Sequence, residues 1–163
     1  MAGIARSLRH LFAAPAARAY PDPVLARIGE AIAAGERLHG GEVVFAVEAA
    51  LPVAEAWRGT SARARADAVF ARLRVWDTAD NNGVLLYLLL ADHAIEIVAD
   101  RGLRGVEAAE WEAICEAVRA RLGDGAHEAA VVEGVDRLSA LLAAHFPADG
   151  AGRDELPDHP VRL

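Results

Sequence analysis

The chain has 163 residues, of which 54% are hydrophobic and 25% are charged. This composition is typical of a globular protein and excludes a wholly disordered chain. The length suits a single domain that closes a hydrophobic core without disulfides or structural metals. A formal net charge of −7 repels a phosphate backbone, so nucleic-acid binding is not expected. One cysteine, Cys115, excludes both an intrachain disulfide and a cysteine zinc cluster.

The first twenty residues predict an amphipathic helix. Ile4, Leu8, Leu11 and Phe12 recur at helical spacing with arginines between them, and the apolar run is too short and broken for a secretory signal. We therefore expect residues 1–20 to form a helix that docks on a surface. No stretch contains the roughly 18 uninterrupted apolar residues that a membrane span requires. The expected location is the cytoplasm, with no membrane span.

The next segments predict a helix, a strand and a second helix. A helix is predicted over 23–38, and a glycine pair ends it. The β-branched run EVVFAVEAAL, which opens at Glu42, has the length and composition of a strand. Apolar residues at helical spacing over 60–75 predict an amphipathic helix, with Thr60 or Ser61 as its N-cap. This order predicts a right-handed parallel crossover to the following strand.

Two apolar runs in the middle of the chain predict a β-hairpin. GVLLYLLL is nearly continuous, as in a central strand buried on both faces, and AIEIVAD alternates like a strand after a tight connection. Helices are predicted over 108–122 and 126–146. The chain then divides into an N-terminal helix (1–20), an α/β domain with a mixed sheet (21–146) and an extended, proline-containing tail laid over the surface (147–163).

The predicted topology places polar side chains from three segments at one edge of the sheet. The second and third strands are antiparallel, so the loop before one and the loop after the other share an edge, toward which the start of the parallel first strand also points. Six oxygen-bearing side chains converge there in this prediction: Glu42, Asp77, Asp80, Asn81, Asn82 and Asp100. Carboxylate and amide oxygens suit a hard cation, Ca²⁺ or Mg²⁺, better than zinc. Arg101 is a candidate for binding a phosphate or carboxylate, with a local ion pair as the alternative.

A structural alternative accounts for the same residues. Asp and Asn before a strand are ordinary turn residues that bond their own backbone, and Asn82-Gly83 is a turn dipeptide. The spacing excludes an EF-hand, and the histidines follow no paired metal-ligand spacing, so surface or capping roles are expected for them. Neither a phosphate-binding P-loop nor the G-x-S-x-G motif of serine hydrolases is present.

Three stretches over residues 35–105 resemble the TPM-domain family. They are GGEVVFAVE, RADAVFARLRVWDTADNNGVLLYLLL and ADHAIEIVADRGL, and their order and spacing match the family over roughly half the chain. The central NNGVLLYLLLADHAIEIVADRG is the most specific part. The ending DELPDHPV is similar to the tail of the short, cytoplasmic bacterial type.

The resemblance implies a three-layer α/β/α sandwich around a small mixed sheet, with a divalent-cation site at the acidic edge in some members. Phosphatase activity is attributed to plastid members, and others act in photosystem repair or as membrane-attached accessory proteins. The residues carried over to the metal or phosphate edge are Asp80, Asn81, Asn82 and Asp100, with Glu42 and Asp77 as additional candidates. The sequence lacks the secretion signal, membrane anchor and glycine-rich tail of many members, so we do not expect their extracytoplasmic roles here.

Three functions follow from these observations. The favoured one is a TPM-like interaction or accessory module that engages a protein partner through the acidic edge, with or without a bound cation, for which Ca²⁺ or Mg²⁺ is the candidate cofactor. The first alternative is a metal-dependent phosphatase that hydrolyses phosphomonoesters at the same edge. The second is a structural domain without metal, whose acidic loops are only turns. The sequence predicts neither catalytic residues nor an oligomeric state.

Overall fold

The computed structural model describes residues 2–148 and 155–163. Within these ranges the α-helices are α1 (Ala2–Leu11), α2 (Ala16–Ala19), α3 (Asp22–Glu36), α4 (Val53–Trp57), α5 (Ala62–Arg72), α6 (Ala108–Gly123) and α7 (His127–His145). The strands are β1 (Glu42–Glu48), β2 (Gly83–Leu89), β3 (Ala94–Ala99) and β4 (Val161–Arg162). Single 3₁₀ turns, Leu90–Asp92 and Arg101–Leu103, follow β2 and β3.

The strands of the described chain form one open mixed sheet in the order β3-β2-β1-β4. β1 and β2 are parallel, and Glu42 lies opposite Gly83 where both strands begin. β2 and β3 are antiparallel and are connected by the Leu90–Asp92 turn and His93, whose φ of 51° is left-handed. The parallel pairing predicted for the first two strands and the predicted hairpin are both confirmed.

Helices cover both faces of the sheet. One face of β1 and β2, which includes Phe45 and Leu86, packs against α3, α6 and α7 in the larger core. The other face, which includes Leu85 and Tyr87, packs against α4 and α5 in the smaller core. Every residue of β1 and β2 is buried, as expected for strands covered on both sides. The three-layer α/β/α sandwich around a small mixed sheet is thus confirmed.

The C-terminal tail contributes to the sheet. Residues 155–163 contain no helix, and Val161–Arg162 forms β4, which pairs in parallel with β1. Pro160 directly precedes this strand, and two residues are too few for a strand pattern to be recognised in the sequence. Residues 149–154 of the predicted tail lie outside the described residues.

Within the segment predicted as one helix over residues 1–20, α1 ends at Leu11 and α2 is separate, and α1 packs against α4 and the Leu90–Asp92 turn. The two short helices α2 and α4 offer too few turns for periodicity to predict them. His10 and His39 are buried, and each accepts a backbone N–H through its Nδ1, from Leu51 and Gly41 respectively. Of the surface or capping roles expected for the histidines, the surface role is therefore wrong for these two.

Candidate cation-binding edge

Two loops meet at the amino-terminal edge of β2. They are the 77–82 loop, which precedes β2, and the 100–103 turn, which follows β3. Gly102 N donates to Asn81 O at 2.8 Å, and Arg101 Nε donates to Asn81 Oδ1 at 2.7 Å. The sheet topology therefore holds the two loops together where the sequence predicts that they share an edge.

Close contact at Gly102 requires a glycine. A Cβ at this position would lie 2.5 Å from the carbonyl oxygen of Asn81 and 2.6 Å from that of Asp80. Real Cβ atoms do not approach backbone oxygens so closely, so no other residue fits without a shift of the backbone. Asn81 itself has a left-handed φ of 53°, which asparagine tolerates better than most residues. Two backbone carbonyl oxygens thus face the 100–103 turn.

Asn82 is the last residue of the 77–82 loop and directly precedes β2. The residue is 2% exposed, its backbone N–H donates to Thr78 Oγ1 at 3.1 Å, and its Nδ2 donates to Gly40 O at 2.5 Å. Its Oδ1 is buried and has no hydrogen-bond partner among the described residues. A buried polar atom without a partner costs on the order of 1–3 kcal/mol. The orphaned oxygen is therefore a feature that a ligand could satisfy.

Asp100 opens the 100–103 turn. Its Oδ1 accepts a hydrogen bond from Arg101 N at 2.7 Å, which caps the short turn, and Asp100 N donates to Gly83 O at 2.9 Å. Its Oδ2 is buried and, within the described chain, makes no hydrogen bond. A carboxylate oxygen in this state is a stronger cation ligand than a solvated one, since water does not compensate its charge.

Three other predicted side chains have different surroundings. Asp77 pairs with Arg74 at 2.6 Å on the surface, and Asp80 is exposed. Glu42 begins β1 at the same edge, but its buried carboxylate accepts the backbone N–H groups of Glu155 and Leu156 at 3.2 and 3.1 Å. Glu42 is therefore directed toward the tail.

The predicted anion ligand Arg101 is exposed and donates to Asn81, so it forms part of the loop contact described above. Among residues 2–148 and 155–163, no three His, Cys, Asp or Glu side chains are close enough together to hold a metal ion. A cation at this edge would therefore depend on the carboxylate of Asp100, with amide and backbone carbonyl oxygens as its other ligands. Such all-oxygen, weakly charged ligand sets fit Ca²⁺ or Mg²⁺.

The sequence analysis missed Glu36, a partly buried acid at the end of α3. Its Oε1 accepts Val43 N at 2.7 Å. Burial raises the pKa of Glu36 to about 9, and the neighbouring carboxylates of Asp158 and Glu42 act in the same direction. Glu36 is thus protonated at neutral pH and shares a hydrogen bond with Asp158 of the tail. The signal for its partial burial was available, because Glu36 falls four residues after the buried Ile32 on the same face of α3.

A second missed cluster lies at the opposite, carboxyl end of β1. Arg65 Nε and Nη2 donate to the two carboxylate oxygens of Glu48 at 2.9 and 2.7 Å, and Tyr87 OH donates to Glu48 Oε2 at 2.7 Å. Glu48 is 4% exposed. Burial raises the pKa of Tyr87, and the adjacent Glu48 carboxylate raises it further. Every group is satisfied by its neighbours, so this cluster stabilises the packing of α5 on the sheet.

Comparisons with known proteins agree with the fold described above. A family model described as the TPM domain matches residues 22–141, so the chain belongs to the TPM-domain family. The match extends beyond the three stretches that resemble the family and confirms that resemblance.

A solved structure of the same fold is the NMR structure of the BA42 protein from the psychrophilic bacterium Bizionia argentinensis. The two chains are 25% identical and superpose with a TM-score of 0.76, over 91% of this chain and 95% of the other. A search of curated proteins found no significant match. Within the part of the chain that the structure describes, no helix has the length and apolar character needed to cross a membrane.

Proposed function

We propose that the chain is a TPM-domain interaction module that binds a divalent cation, Ca²⁺ or Mg²⁺, at the edge formed by the 77–82 loop and the 100–103 turn, and that this edge engages a protein partner. The observation that supports the cation most directly is the pair of buried oxygens without partners, Asn82 Oδ1 and Asp100 Oδ2. Six buried side-chain N or O atoms of the described chain have no hydrogen-bond partner, and two of them belong to residues of this edge, where a cation ligand is one explanation for them.

The ligand chemistry favours modest affinity. Asp100 contributes one charge, and Asp80 contributes a second if its exposed side chain turns inward when the cation binds. The backbone carbonyl oxygens of Asp80 and Asn81 and the amide of Asn82 are neutral ligands. Because affinity for Ca²⁺ rises with the number of charged ligands and with rigidity, we expect a Kd on the order of 10⁻⁴ M or weaker.

Calorimetric titration of the chelator-stripped protein with Ca²⁺ and Mg²⁺ tests the cation site. We expect saturable binding that Asp100→Asn abolishes and Asp80→Asn weakens. Asp136→Asn is the matched control, because Asp136 is an exposed aspartate on α7, away from both loops. Absence of binding at millimolar cation, or equal loss in the Asp136 variant, would refute the cation site.

Phosphomonoester hydrolysis is the alternative function at the same edge. It has less support, because Arg101, its candidate phosphate ligand, already donates to Asn81, and because an attacking group is not evident beside Asp100 in the described structure. A phosphatase assay with p-nitrophenyl phosphate and each cation separates the two functions. Turnover that Asp100→Asn abolishes and Asp136→Asn preserves would favour the enzyme, whereas binding without turnover favours the module.

A further inference from the structure

Helix α1 turns its apolar side chains toward solvent. Ile4, Leu8, Leu11 and Phe12 are between 49% and 78% exposed. Their spacing of four, seven and eight residues from the first places them on one face of a helix that continues by about one residue into the following turn. We name these four residues the α1 stripe. A helix that packs on a globular domain normally buries its apolar face, whereas α1 exposes it.

Polar side chains hold α1 on the domain. Arg6 Nε and Nη2 donate to the carboxylate of Asp92 at 2.7–3.2 Å, and Arg6 Nη2 also donates to Thr60 O at 2.7 Å. The buried His10 lies between Asp92 Oδ1, 3.1 Å from Nε2, and Leu51 N, which donates to Nδ1 at 2.9 Å. The α1 stripe is therefore not needed for attachment of the helix and is free to contact something else.

The neighbouring helix extends the apolar surface. α4 packs against α1 and exposes Val53 and Trp57, which lie four residues apart. Eight large apolar side chains are exposed in the described chain, and six of them belong to the α1 stripe and α4. Exposed apolar side chains that are scattered singly over a surface are ordinary, whereas a group of them in one place marks an interaction site.

The N-terminal segment that carries the α1 stripe is basic although the chain is acidic. Residues 1–21 contain three arginines and no Asp or Glu, whereas the whole chain has a net charge of −7. A groove of about 530 Å³ beside α1 is lined by Arg9, Arg18, His93 and His127 and by no acidic residue. The Asp92 carboxylate near α1 is neutralised by Arg6 and lies 3.7 Å from Arg9. The groove therefore favours anions.

We propose that the α1 stripe and α4 dock on an anionic phospholipid surface, with Arg9 and Arg18 of the groove facing the phosphate headgroups. Leucine, phenylalanine and tryptophan side chains beside arginines are the combination that inserts into the boundary between headgroups and acyl chains. A second copy of the chain fits less well, because a two-fold interface would bring the basic groove of one copy against that of the other. The helix would lie on the membrane and would not cross it.

Vesicle co-sedimentation of the full chain tests this proposal. We expect the protein to bind vesicles of phosphatidylcholine mixed with phosphatidylglycerol, and to bind phosphatidylcholine alone at least about tenfold more weakly, since anionic lipids attract basic side chains. The double variant Leu8→Glu/Phe12→Glu should lose binding to the mixed vesicles by about tenfold or more. Leu38→Glu is the matched control, because Leu38 is an exposed leucine outside α1 and α4.

A second pair of variants separates charge from apolar contact. Arg9→Gln/Arg18→Gln should weaken binding to the mixed vesicles and leave the weak binding to phosphatidylcholine unchanged. Arg37→Gln/Arg72→Gln, at two exposed arginines outside the groove, should have a smaller effect. Thermal unfolding followed by circular dichroism should be the same for all variants, because the substituted side chains are exposed.

Three results would overturn the proposal. The wild-type chain could fail to bind the mixed vesicles, or Leu8→Glu/Phe12→Glu could bind them as tightly as Leu38→Glu. Alternatively, sedimentation equilibrium without vesicles could reveal a dimer that Leu8→Glu/Phe12→Glu dissociates, which would assign the α1 stripe to a second copy of the chain.

Discussion

The two ends of the parallel pair β1 and β2 differ in whether their buried polar groups have hydrogen-bond partners. At the carboxyl end, Glu48, Arg65 and Tyr87 satisfy one another with hydrogen bonds of 2.7–2.9 Å. At the amino end, Asn82 and Asp100 each keep a buried oxygen that no other described residue contacts through a hydrogen bond. In open parallel sheets, ligands usually bind at the carboxyl ends of the strands. Here the carboxyl end holds the Glu48, Arg65 and Tyr87 cluster, which we call the closed network. The edge formed by the 77–82 loop and the 100–103 turn, which we call the open edge, lies at the amino end.

The difference separates a structural cluster from a candidate binding site. A satisfied network contributes to stability and specificity of packing, and removal of one member leaves the others buried without partners. Buried oxygens without partners lower the stability of the free protein, and a ligand that binds them can restore it. Substitutions at the carboxyl end should therefore change unfolding, and substitutions at the amino end should change binding.

The largest expected effect comes from breaking the closed network. Arg65→Met leaves the Glu48 carboxylate buried without its bidentate partner, and we expect the free energy of unfolding to fall by about 3 kcal/mol. Urea denaturation measures this change. Arg72→Met, at an exposed arginine at the end of the same helix, should change stability by less than about 0.5 kcal/mol. Equal effects of the two substitutions would show that the network does not stabilise the fold.

Gly102→Ala tests the loop contact at the open edge. The new methyl group would collide with the carbonyl oxygens of Asp80 and Asn81, and we expect a loss of about 2 kcal/mol together with loss of cation binding. Gly105→Ala is the control, because nothing lies within 4 Å of a Cβ at that position. Thermal unfolding and calorimetry of both variants check this prediction. Full cation affinity in Gly102→Ala would exclude the loop contact from the site.

The pH dependence of stability tests Glu36, which contacts the start of β1 and the tail. Its pKa in the folded protein is about 9, whereas the ordinary value is 4.5, so between these values the folded state holds a proton that the unfolded state has released. This contribution to stability is complete below pH 4.5 and is lost as the pH rises toward 9. We expect Glu36 to lower the free energy of unfolding by about 1 kcal/mol per pH unit in that window.

Glu36→Gln removes this titration and keeps an acceptor for Val43 N. The difference in unfolding free energy between the variant and the wild type, measured by urea denaturation at pH 6 and pH 8, should therefore grow in favour of the variant. Comparison with the wild type cancels the other titrating groups. A difference that stays constant over this window would mean that Glu36 is ionised in the folded protein.

The smallest effect is expected at Asp77. Its ion pair with Arg74 is exposed, and such pairs contribute less than about 0.5 kcal/mol. Asp77→Asn should therefore leave both thermal stability and the calorimetric cation affinity nearly unchanged. Loss of cation binding in Asp77→Asn would extend the site to a residue that the structure places on the surface.

Most of the fold could be predicted because its signals are local. VVFAV within β1 and VLLYLL within β2 are continuous apolar runs, and the antiparallel return of β3 follows from the short connection after Leu89. The convergence of the 77–82 loop and the 100–103 turn then follows from topology alone. The hydrogen-bond partner of each side chain cannot be predicted from these local patterns. Glu48 and Arg65 are 17 residues apart, and only packing of α5 on the sheet brings them together.

The orientation of α1 illustrates the same limit. Helical spacing shows that Ile4, Leu8 and Leu11 share one face, but it does not show which way the face points. The direction is set by Arg6 and its partner Asp92, which lies 86 residues further along the chain. Likewise, the sequence placed Glu42 at the acidic edge without indicating that its carboxylate would bind the backbone of the tail.

The most direct test of the open edge is a titration of ¹⁵N-labelled protein with Ca²⁺ and Mg²⁺, followed by amide chemical shifts. We predict saturable shifts confined to residues 80–83 and 100–103, with no change at Glu48, Arg65 or Tyr87. The absence of shifts at millimolar cation, or shifts of similar size at both ends of the parallel strands, would contradict a cation site at the amino-terminal edge.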